Sequence, residues 1–569
     1  MPMSELVPMA ELLLPLAVVV PIVAATLPLA LGLRYDDIGW SVAAVTSLVL
    51  VGIAAAVAVA TYTGGRFTHE LGGYHPPVGI ELVADELSAA VLLLIALVAA
   101  ATLAFSRVAG PRGNAFHSGY LLLTGGLSGV VLTGDLFNLF VFLEIVGLTT
   151  YALIASDRSG ASAYASLKYL VLGTVGASLY LVGVGYVYLA TGSLNMLDLQ
   201  TRIVEEAGHT DPLIQAGFAF IVAGFALKIA LFPVHTWQPD AYQRAPDAVT
   251  AFVAALVSTA GAYALIRVTY TVFTVEFLAA NEAITTVLLV VSGVSILAGS
   301  VLAAMQSDLK RMFAYSSVAQ FGMIAAAVGL ANEWALLGGI VHLLGHGLLK
   351  FGLFLAAGLL ALGYGARRVA DLASLARRAP YTAGSLAVLG LALVGIPPSI
   401  GFLGKWYIAF GAVQESGLGG GAVGIGIAAV IFISTLFTLA YVARLIEQLY
   451  FAGVGLDDDH GHDEGVGDET HGSAHDGDVV ADGGRDADGD HAAGDTHDAE
   501  DDHDAGDTHD ADEPIPPEPG APTTLGVRDR VPTGAFLVLI GTTVVAVALG
   551  FAGATFATLL DPFLSEVFA

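Results

Sequence analysis

Apolar runs of about 20 residues recur along nearly the whole chain, separated by short polar segments. A helix of that length crosses the ~30 Å hydrocarbon core of a bilayer. Fourteen such runs with short connections predict an all-α polytopic membrane protein with fourteen transmembrane spans, packed as a compact bundle. They lie near residues 8–33, 38–62, 84–106, 116–134, 136–156, 162–191, 212–234, 246–272, 281–305, 311–330, 334–362, 381–412, 421–451 and 532–560.

The charges in the connecting loops alternate along the chain. Loops after odd-numbered spans carry most of the bases, whereas loops after even-numbered spans are mainly acidic. Because loops rich in arginine and lysine remain in the cytoplasm, we expect a plasma-membrane protein with cytoplasmic odd loops and both termini outside. The bases of the odd loops are Arg34, Arg107, Arg112, Arg158, Arg244, Lys310, Arg311, Arg367, Arg368, Arg377 and Arg378.

Composition narrows the functional classes. The chain is 56% hydrophobic and only 13% charged, which excludes an ordinary soluble protein. It has no cysteine, which excludes disulfides, iron–sulfur clusters and thiolate metal sites. We therefore expect no cofactor and no resident metal in the membrane domain, and no nucleic-acid partner.

The net charge of −29 is concentrated in one segment. Residues 457–518 hold 24 of the 51 acidic residues and a single base, Arg485, which leaves −6 for the rest of the chain. A segment so polar cannot form a core, so we predict a disordered insert at 453–530, in the cytoplasm, between spans 13 and 14. Eight of the fifteen histidines lie there beside aspartates, so metal binding is an alternative to a solvated tail.

Four ionisable residues lie in or beside apolar runs. Lys228, Lys350 and Lys405 belong to three different runs, and Glu144 lies in the middle of span 5. A charge at bilayer depth costs at least ~2.5–3.5 kcal/mol, so such residues have a partner, a water path or a function. We interpret them as sites of proton movement, with Glu144 as the partner of Lys228. The alternative is a buried ion pair that only fixes helix packing.

Two histidine-containing stretches add to this set. His342, His346 and Lys350 follow the spacing i, i+4, i+8, which places them on one helical face at steps of ~6 Å and suggests a relay. A metal site is the alternative, although lysine is not a usual ligand. His235 follows Pro233, which interrupts span 7, and this histidine serves either as a proton relay or in packing.

A short sequence pattern occurs twice. LKxxLF begins at Leu227 and again at Leu349, about 120 residues later. Transporters built from two repeats often place their functional sites at matching positions on interrupted helices. The pattern is therefore consistent with a duplication in which Lys228 and Lys350 correspond to each other.

Several motifs together resemble those of one family. The chain is similar, over residues 80–450, to the proton-conducting, antiporter-like membrane subunits of respiratory complex I, membrane-bound hydrogenases and multisubunit sodium/proton antiporters. The motifs are ELVADELSA, FLE, LKIALFPVHTWQPDAYQRAP, GAYALIR, QSDLKRMFAYSSVAQFG, HGLLKFGLF and GIPPSIGFLGKW.

The resemblance implies an architecture. Spans 4–8 and 9–13 would form two inverted five-helix repeats in which spans 7 and 12 are broken. The expected regions are 1–110 for spans 1–3, 111–272 and 273–452 for the two repeats, 453–530 for the insert and 531–569 for the final helix.

The resemblance also implies roles. Glu144 and Lys228 would form the charge pair of the first half-channel, and a swing of Glu144 would change the proton affinity of Lys228. His346 and Lys350 would belong to the central relay, and Lys405 to the exit half-channel.

The chain departs from the family pattern between the two halves. Many members carry lysine or histidine where Thr259 stands, and many carry histidine where Tyr242 stands. The connection from Lys228 to Lys350 would then run through Thr259, Tyr263 and water, or through another group such as His342.

The function implied is proton translocation as the D-type subunit of a multisubunit sodium/proton antiporter, and so a transporter subunit rather than an enzyme. The alternative is a proton-pumping subunit of a complex I-like oxidoreductase. Either would work with other subunits in the bilayer and carry protons; whether sodium also passes stays open. A scaffold that only anchors partners would require the buried charges to be inert.

Overall fold

The computed structural model describes residues 3–414, 421–452 and 533–568, so the predicted acidic insert lies outside the described residues. The first half of the described chain contains α1 (Met3–Ala24), α2 (Leu27–Gly32), α3 (Gly39–Gly64), α4 (Glu86–Ala109), α5 (Asn114–Leu132), α6 (Leu136–Ile154), α7 (Gly160–Thr191), α8 (Met196–Arg202), α9 (Pro212–Lys228), α10 (Trp237–Arg244), α11 (Asp247–Val268) and α12 (Thr274–Ala280). The second half contains α13 (Glu282–Ala304), α14 (Leu309–Leu330), α15 (Glu333–Tyr364), α16 (Leu375–Arg378), α17 (Pro380–Val394), α18 (Ile400–Val413), α19 (Ala422–Tyr450), α20 (Thr533–Ala548) and α21 (Gly553–Phe568).

The fourteen predicted spans are confirmed. Within the described ranges, twelve helical segments are long and apolar enough to cross a bilayer. The other two spans consist of shorter helices, with α9 in span 7 and the α17–α18 pair in span 12. A helix of 17 residues, such as α9, reaches ~25 Å, so it needs the segment after it to complete the crossing.

Both broken spans end their first helix at residues that cannot continue it. After α9, Ala230 adopts a left-handed φ of 56° and Pro233 lacks a backbone N–H. After α17, Gly395 has a φ of 93°, as is common where a helix ends. The next helix, α18, begins at Ser399, whose hydroxyl accepts a hydrogen bond from the Phe402 N–H at 3.2 Å.

The broken spans occupy the same place in each predicted repeat. In both repeats the break lies in the fourth span. The first repeat contains α5, α6, α7, α9–α10 and α11, and the second contains α13, α14, α15, α17–α18 and α19. Because each repeat contains an odd number of spans, the second begins on the opposite side of the bilayer and is inverted.

This arrangement corrects the interpretation of the LKxxLF pattern. Lys228 lies on the fourth span of its repeat, whereas Lys350 lies within α15, the third span of the second repeat. Lys405, on α18, is the lysine that shares the broken fourth span. The six-residue sequence match, taken without the positions of the helix breaks, therefore indicated the wrong pair of corresponding lysines.

One β-hairpin interrupts the helical architecture. Strand β1 (Phe67–Glu70) pairs antiparallel with β2 (Glu81–Ala84) in the loop between spans 2 and 3. Leu82 also bridges to Thr133, after α5. An all-α prediction missed these strands, since four residues carry too little periodicity to detect. Their pairing satisfies the backbone groups of this loop.

Five of the candidate residues belong to the most enclosed helices: Thr259 and Tyr263 to α11, and His342, His346 and Lys350 to α15. Every residue of α11 from Ala248 to Val268 is buried, and α14 and α15 are buried over most of their length. Outer helices such as α3 and α19 instead expose large apolar side chains, as lipid-facing helices do. The core of the bundle is thus the place where α11, α14 and α15 meet.

Close helix packing generates a stability prediction. A Cβ at Gly299 would lie 2.5 Å from the Ala319 nitrogen and 3.0 Å from the Tyr315 carbonyl oxygen, where α13 crosses α14. We expect Gly299→Ala to lower the free energy of unfolding by ~1–3 kcal/mol through overpacking. The matched control is Gly185→Ala on α7, where a Cβ would meet nothing within 4 Å.

Thermal unfolding of the purified protein in detergent measures this difference. Gly185→Ala should be neutral or slightly stabilising, because alanine is favoured over glycine inside helices. Equal losses in both variants would show that the α13–α14 contact does not limit stability.

Candidate proton relay

The first candidate site is an ion pair at the break in span 7. Lys228 is the last residue of α9, and its Nζ lies 3.2 Å from Oε1 of Glu144 on α6. The same Nζ lies 3.4 Å from the Leu143 carbonyl oxygen. Lys228 is buried, whereas Glu144 is partly exposed. The negative end of the α9 dipole favours a cation at this position, so the break and the carboxylate together compensate the buried charge.

His235 lies in the segment that connects α9 to α10. Its ring packs between Phe232, at a centroid distance of 5.3 Å, and Tyr315 of α14, at 5.9 Å. Its Nδ1 is buried and has no hydrogen-bond partner within the described residues. This contact geometry is compatible with packing and with a relay.

A second charged cluster lies next to this segment. Asp240 of α10 accepts a hydrogen bond from Lys168 of α7 at 2.6 Å and from Arg311 of α14 at 2.7 Å. The carboxylate thus joins a helix of each repeat. The sequence had suggested only a loop position for Arg311. Lys168 was missed, although it lies in the apolar run of span 6, the same signal that revealed the other lysines.

A polar link leads from Lys228 towards the second repeat. Gln238 Nε2 donates to the Tyr242 hydroxyl at 3.2 Å and to the Ser258 hydroxyl at 3.1 Å. Ser258 Oγ lies 3.5 Å from the backbone carbonyl oxygen of Lys228, and the Tyr242 ring contacts Phe354 of α15 edge-on, with centroids 5.8 Å apart. These three side chains occupy the gap between Lys228 and α15.

The two residues expected to bridge this gap lie in different places. Thr259 donates to the carbonyl of Ala255 in its own helix at 2.7 Å and faces Gly347 of α15. The Tyr263 hydroxyl donates to the Val131 carbonyl at 2.6 Å and accepts from Arg267 at 3.1 Å. Its hydrogen bonds therefore belong to a separate cluster. The side chains that lie between Lys228 and α15 are instead those of Gln238, Tyr242 and Ser258.

Lys350 lies on α15, at the core of the bundle. It is fully buried, and its Nζ donates to the Phe313 carbonyl at 2.7 Å and to the Ser316 hydroxyl, both on α14. In the part of the chain that the structure describes, no carboxylate oxygen lies within 4 Å of this Nζ. An ammonium in such surroundings lacks a compensating charge. The site therefore suits a lysine that both takes and releases a proton.

The two histidines of α15 share the face of Lys350 that packs on α14. His342 Nε2 lies 2.9 Å from Gln320 Oε1, and the His346 ring lies 4.4 Å from that of Phe321. Among the described residues, Nδ1 of His342 and both ring nitrogens of His346 are buried without a partner. Buried polar atoms in proteins are nearly always bonded to protein or ordered water, so this face suits a hydrogen-bonded water chain.

Lys405 lies at the break in span 12. From α18, its Nζ donates across the break to the carbonyls of Leu393 and Val394, the last two residues of α17, at 2.9 and 3.0 Å. A Cβ on the adjacent Gly404 would lie 2.6 Å from Cβ of His342. Only glycine permits this approach, which brings Lys405 next to the histidine end of the α15 face.

Two further buried ion pairs lie outside this series. Arg267 forms two hydrogen bonds to Asp85, at 2.5 and 2.7 Å. Lys310 lies 2.9 Å from Asp247 and is buried. The sequence had suggested that Lys310 is a loop base. Its ion pair could not be predicted, because Asp247 lies 63 residues away and local composition does not reveal such a partner.

Comparison with known proteins identifies the family of this chain. Residues 133–432, which contain Glu144, Lys228, Lys350 and Lys405, match the family described as NADH:quinone oxidoreductase/Mrp antiporter, TM. The chain belongs to this family. The match spans both broken helices and the helices between them.

Relatives within the family include both expected types. The NADH-quinone oxidoreductase subunit N of Desulforudis audaxviator is 41% identical over 71% of this chain and 80% of its own length. The D-type subunit of the Na(+)/H(+) antiporter of Alkalihalophilus pseudofirmus is 34% identical over 65% and 74%. A chain in the structure of the Mrp complex from Dietzia sp. DQ12-45-1b aligns with a TM-score of 0.75 and 26% identity, over 99% of this chain and 100% of that one.

The Asp85–Arg267 pair generates a prediction. Asp85→Ala leaves the buried Arg267 charge without its carboxylate, so we expect a loss of ~3–5 kcal/mol in the free energy of unfolding. Glu566→Ala removes the partner of Arg66 in a more exposed pair and should cost ~0–1 kcal/mol. Denaturant unfolding in detergent distinguishes the two, and similar losses would show that burial does not set the strength of these pairs.

Proposed function

We propose that this chain is the proton-translocating subunit of a multisubunit sodium/proton antiporter in the plasma membrane. The observation that carries this proposal is the series of ionisable and polar side chains, most of them buried, that connects the two broken spans. In order, it comprises Glu144, Lys228, the link Gln238–Tyr242–Ser258, Lys350, His346, His342 and Lys405.

The mechanism begins at the first ion pair. While Glu144 lies beside Lys228, its negative charge favours the protonated lysine. When Glu144 moves away, the buried ammonium loses its counter-charge, and release of the proton becomes favourable. The proton then passes along the polar link to Lys350, an amine with only neutral acceptors. Glu144 is the more exposed partner of the pair, so we assign the movement to it.

The exit uses the second break. His346 and His342 carry the proton along the α15 face, and Lys405 receives it at the carboxyl end of α17. The carbonyls of Leu393 and Val394 hold the protonated amine there. A rearrangement at the α17–α18 break would then release the proton. His235 and Thr259 border this route and Tyr263 lies apart from it, so we assign these three secondary roles.

The aligned Mrp complex and the D-type antiporter relatives support the antiporter assignment, and the partners are other subunits of such a membrane complex. We place the odd loops and the acidic insert in the cytoplasm on the basis of the loop charges. The second candidate is a proton-pumping subunit of a complex I-like oxidoreductase, favoured by the 41% identity to the NADH-quinone oxidoreductase relative.

The test is sodium-dependent dissipation of a pH gradient in inverted vesicles that hold the chain with its operon partners. We expect Lys228→Ala to abolish the sodium response and Glu144→Gln to weaken it, because both remove the charge switch. Arg377→Ala, at an exposed arginine of α16, is the control and should behave as wild type. Assembly is checked for each variant by copurification of the partners.

Three outcomes separate the candidates. Loss of the sodium response in an assembled Lys228→Ala complex supports the antiporter. A gradient built by an electron donor, absent in the variant and indifferent to sodium, supports the oxidoreductase subunit. Wild-type behaviour of Lys228→Ala in both assays would eliminate the relay and leave a scaffold.

A further inference from the structure

A cavity of about 590 Å³ opens at one end of the bundle. Its walls come from the loops after spans 3, 5, 7, 9 and 11, which are all odd loops. Lys310 and Asp247 form an ion pair in its wall, 2.9 Å apart. The cavity is therefore a polar vestibule on the side where the odd loops lie.

Two helices run from this vestibule towards Lys350. On α15, Ala361 and Ala357 line the vestibule, and Phe354 and Lys350 continue the same helical face at i−7 and i−11 from Ala361. Ala357 is seven residues from Lys350, a rise of ~10 Å. On α14, Lys310 in the wall is one turn from Phe313, whose carbonyl accepts from Lys350. The vestibule thus leads along α14 and α15 towards Lys350.

Three aromatic rings lie next to one another beside Lys350, and one of them, Phe354, lies on the α15 face between Ala357 and Lys350. The Phe354 ring stands edge-on to Tyr242 and to Phe313, with centroids 5.8 Å apart in both cases. All three side chains are buried. The group reaches Lys350 through Phe313, whose ring centroid lies 6.0 Å from the Lys350 Nζ. An apolar constriction of this kind excludes water until the rings move.

We propose that this vestibule is a second entrance for protons, leading directly to Lys350, and that Phe354 with Tyr242 and Phe313 forms its gate. When the gate opens, a hydronium ion transfers a proton to the neutral Lys350 amine, so that an N–H bond forms and water remains. The gate closes before Lys350 passes the proton to His346. The vestibule and the histidine face of α15 are therefore never open to Lys350 at the same time. This inference rests on the proposed proton-translocating function.

The absence of cysteine from the chain makes the vestibule directly testable. Single substitutions Ala361→Cys and Ala357→Cys place a thiol in its wall, and Ala356→Cys, buried on another face of α15, is the control. A charged, membrane-impermeant methanethiosulfonate is added to either side of vesicles that hold the assembled complex, with wild type treated in parallel. We expect Ala361→Cys to react only from the odd-loop side and to lose its proton flux when labelled.

Removal of the gating ring tests the second part of the proposal. Phe354→Ala should produce a proton leak without sodium, several-fold above wild type, because water then reaches Lys350. Phe351→Ala removes an equally buried ring of α15 outside the aromatic group and should not leak. If the Phe354→Ala variant fails to assemble, Phe354→Leu is measured in the same way. Leucine fills less of the constriction than phenylalanine but more than alanine.

The outcomes are distinguishable. Labelling of Ala361→Cys from the opposite side, or labelling with full flux retained, would overturn the entrance. An assembled Phe354 variant that leaks no more than Phe351→Ala would overturn the gate. Intact flux in Lys405→Ala, which removes the exit shared by both entrances, would instead contradict the proposed function itself, whatever the labelling shows.

Discussion

A lysine amine kept from water can hold a proton only if nearby oxygen atoms or charges compensate it, and this constraint shapes the structure around each buried lysine. Lys228 has a carboxylate beside it, Lys405 has the carbonyl end of α17, and Lys350 has a carbonyl and a hydroxyl of α14. Only the first of these partners is charged. The three sites therefore differ in how strongly they hold a proton, and transfer between them needs such a difference.

The broken spans provide two of these environments. An unbroken helix satisfies its own carbonyl groups, whereas a helix that ends inside the bundle presents free ones. The break after α17 exposes the two carbonyls that bind Lys405, and the break after α9 leaves Lys228 at a helix end beside α6. The residues that carry these interactions, Lys228, Leu393 and Val394, are buried, although Pro233 and Ile396 in the two breaks are exposed. Inversion of the second repeat places its break facing the opposite side from the first.

The spans, the breaks and the buried ionisable residues could be predicted because each has a local signal: an apolar run, a proline or glycine, a charge where none is expected. Ion pairs between residues far apart in the chain could not be predicted. Asp240 meets Lys168 and Arg311, and Asp85 meets Arg267, only once distant helices pack. The same limit explains why Tyr263, chosen for its position near Thr259, bonds to Arg267 instead. Lys168 is different, because its signal was present in span 6 and was overlooked.

The central claim is that Lys350 takes up and releases a proton, rather than serving as a fixed positive charge. Arginine keeps the charge but does not deprotonate in proteins, whereas methionine removes the charge at similar size. Proton flux through assembled complexes carrying Lys350→Arg or Lys350→Met therefore tests the claim directly. We predict that both variants assemble and that neither conducts protons. Wild-type flux through Lys350→Arg would contradict the account, because a permanent charge would then be sufficient.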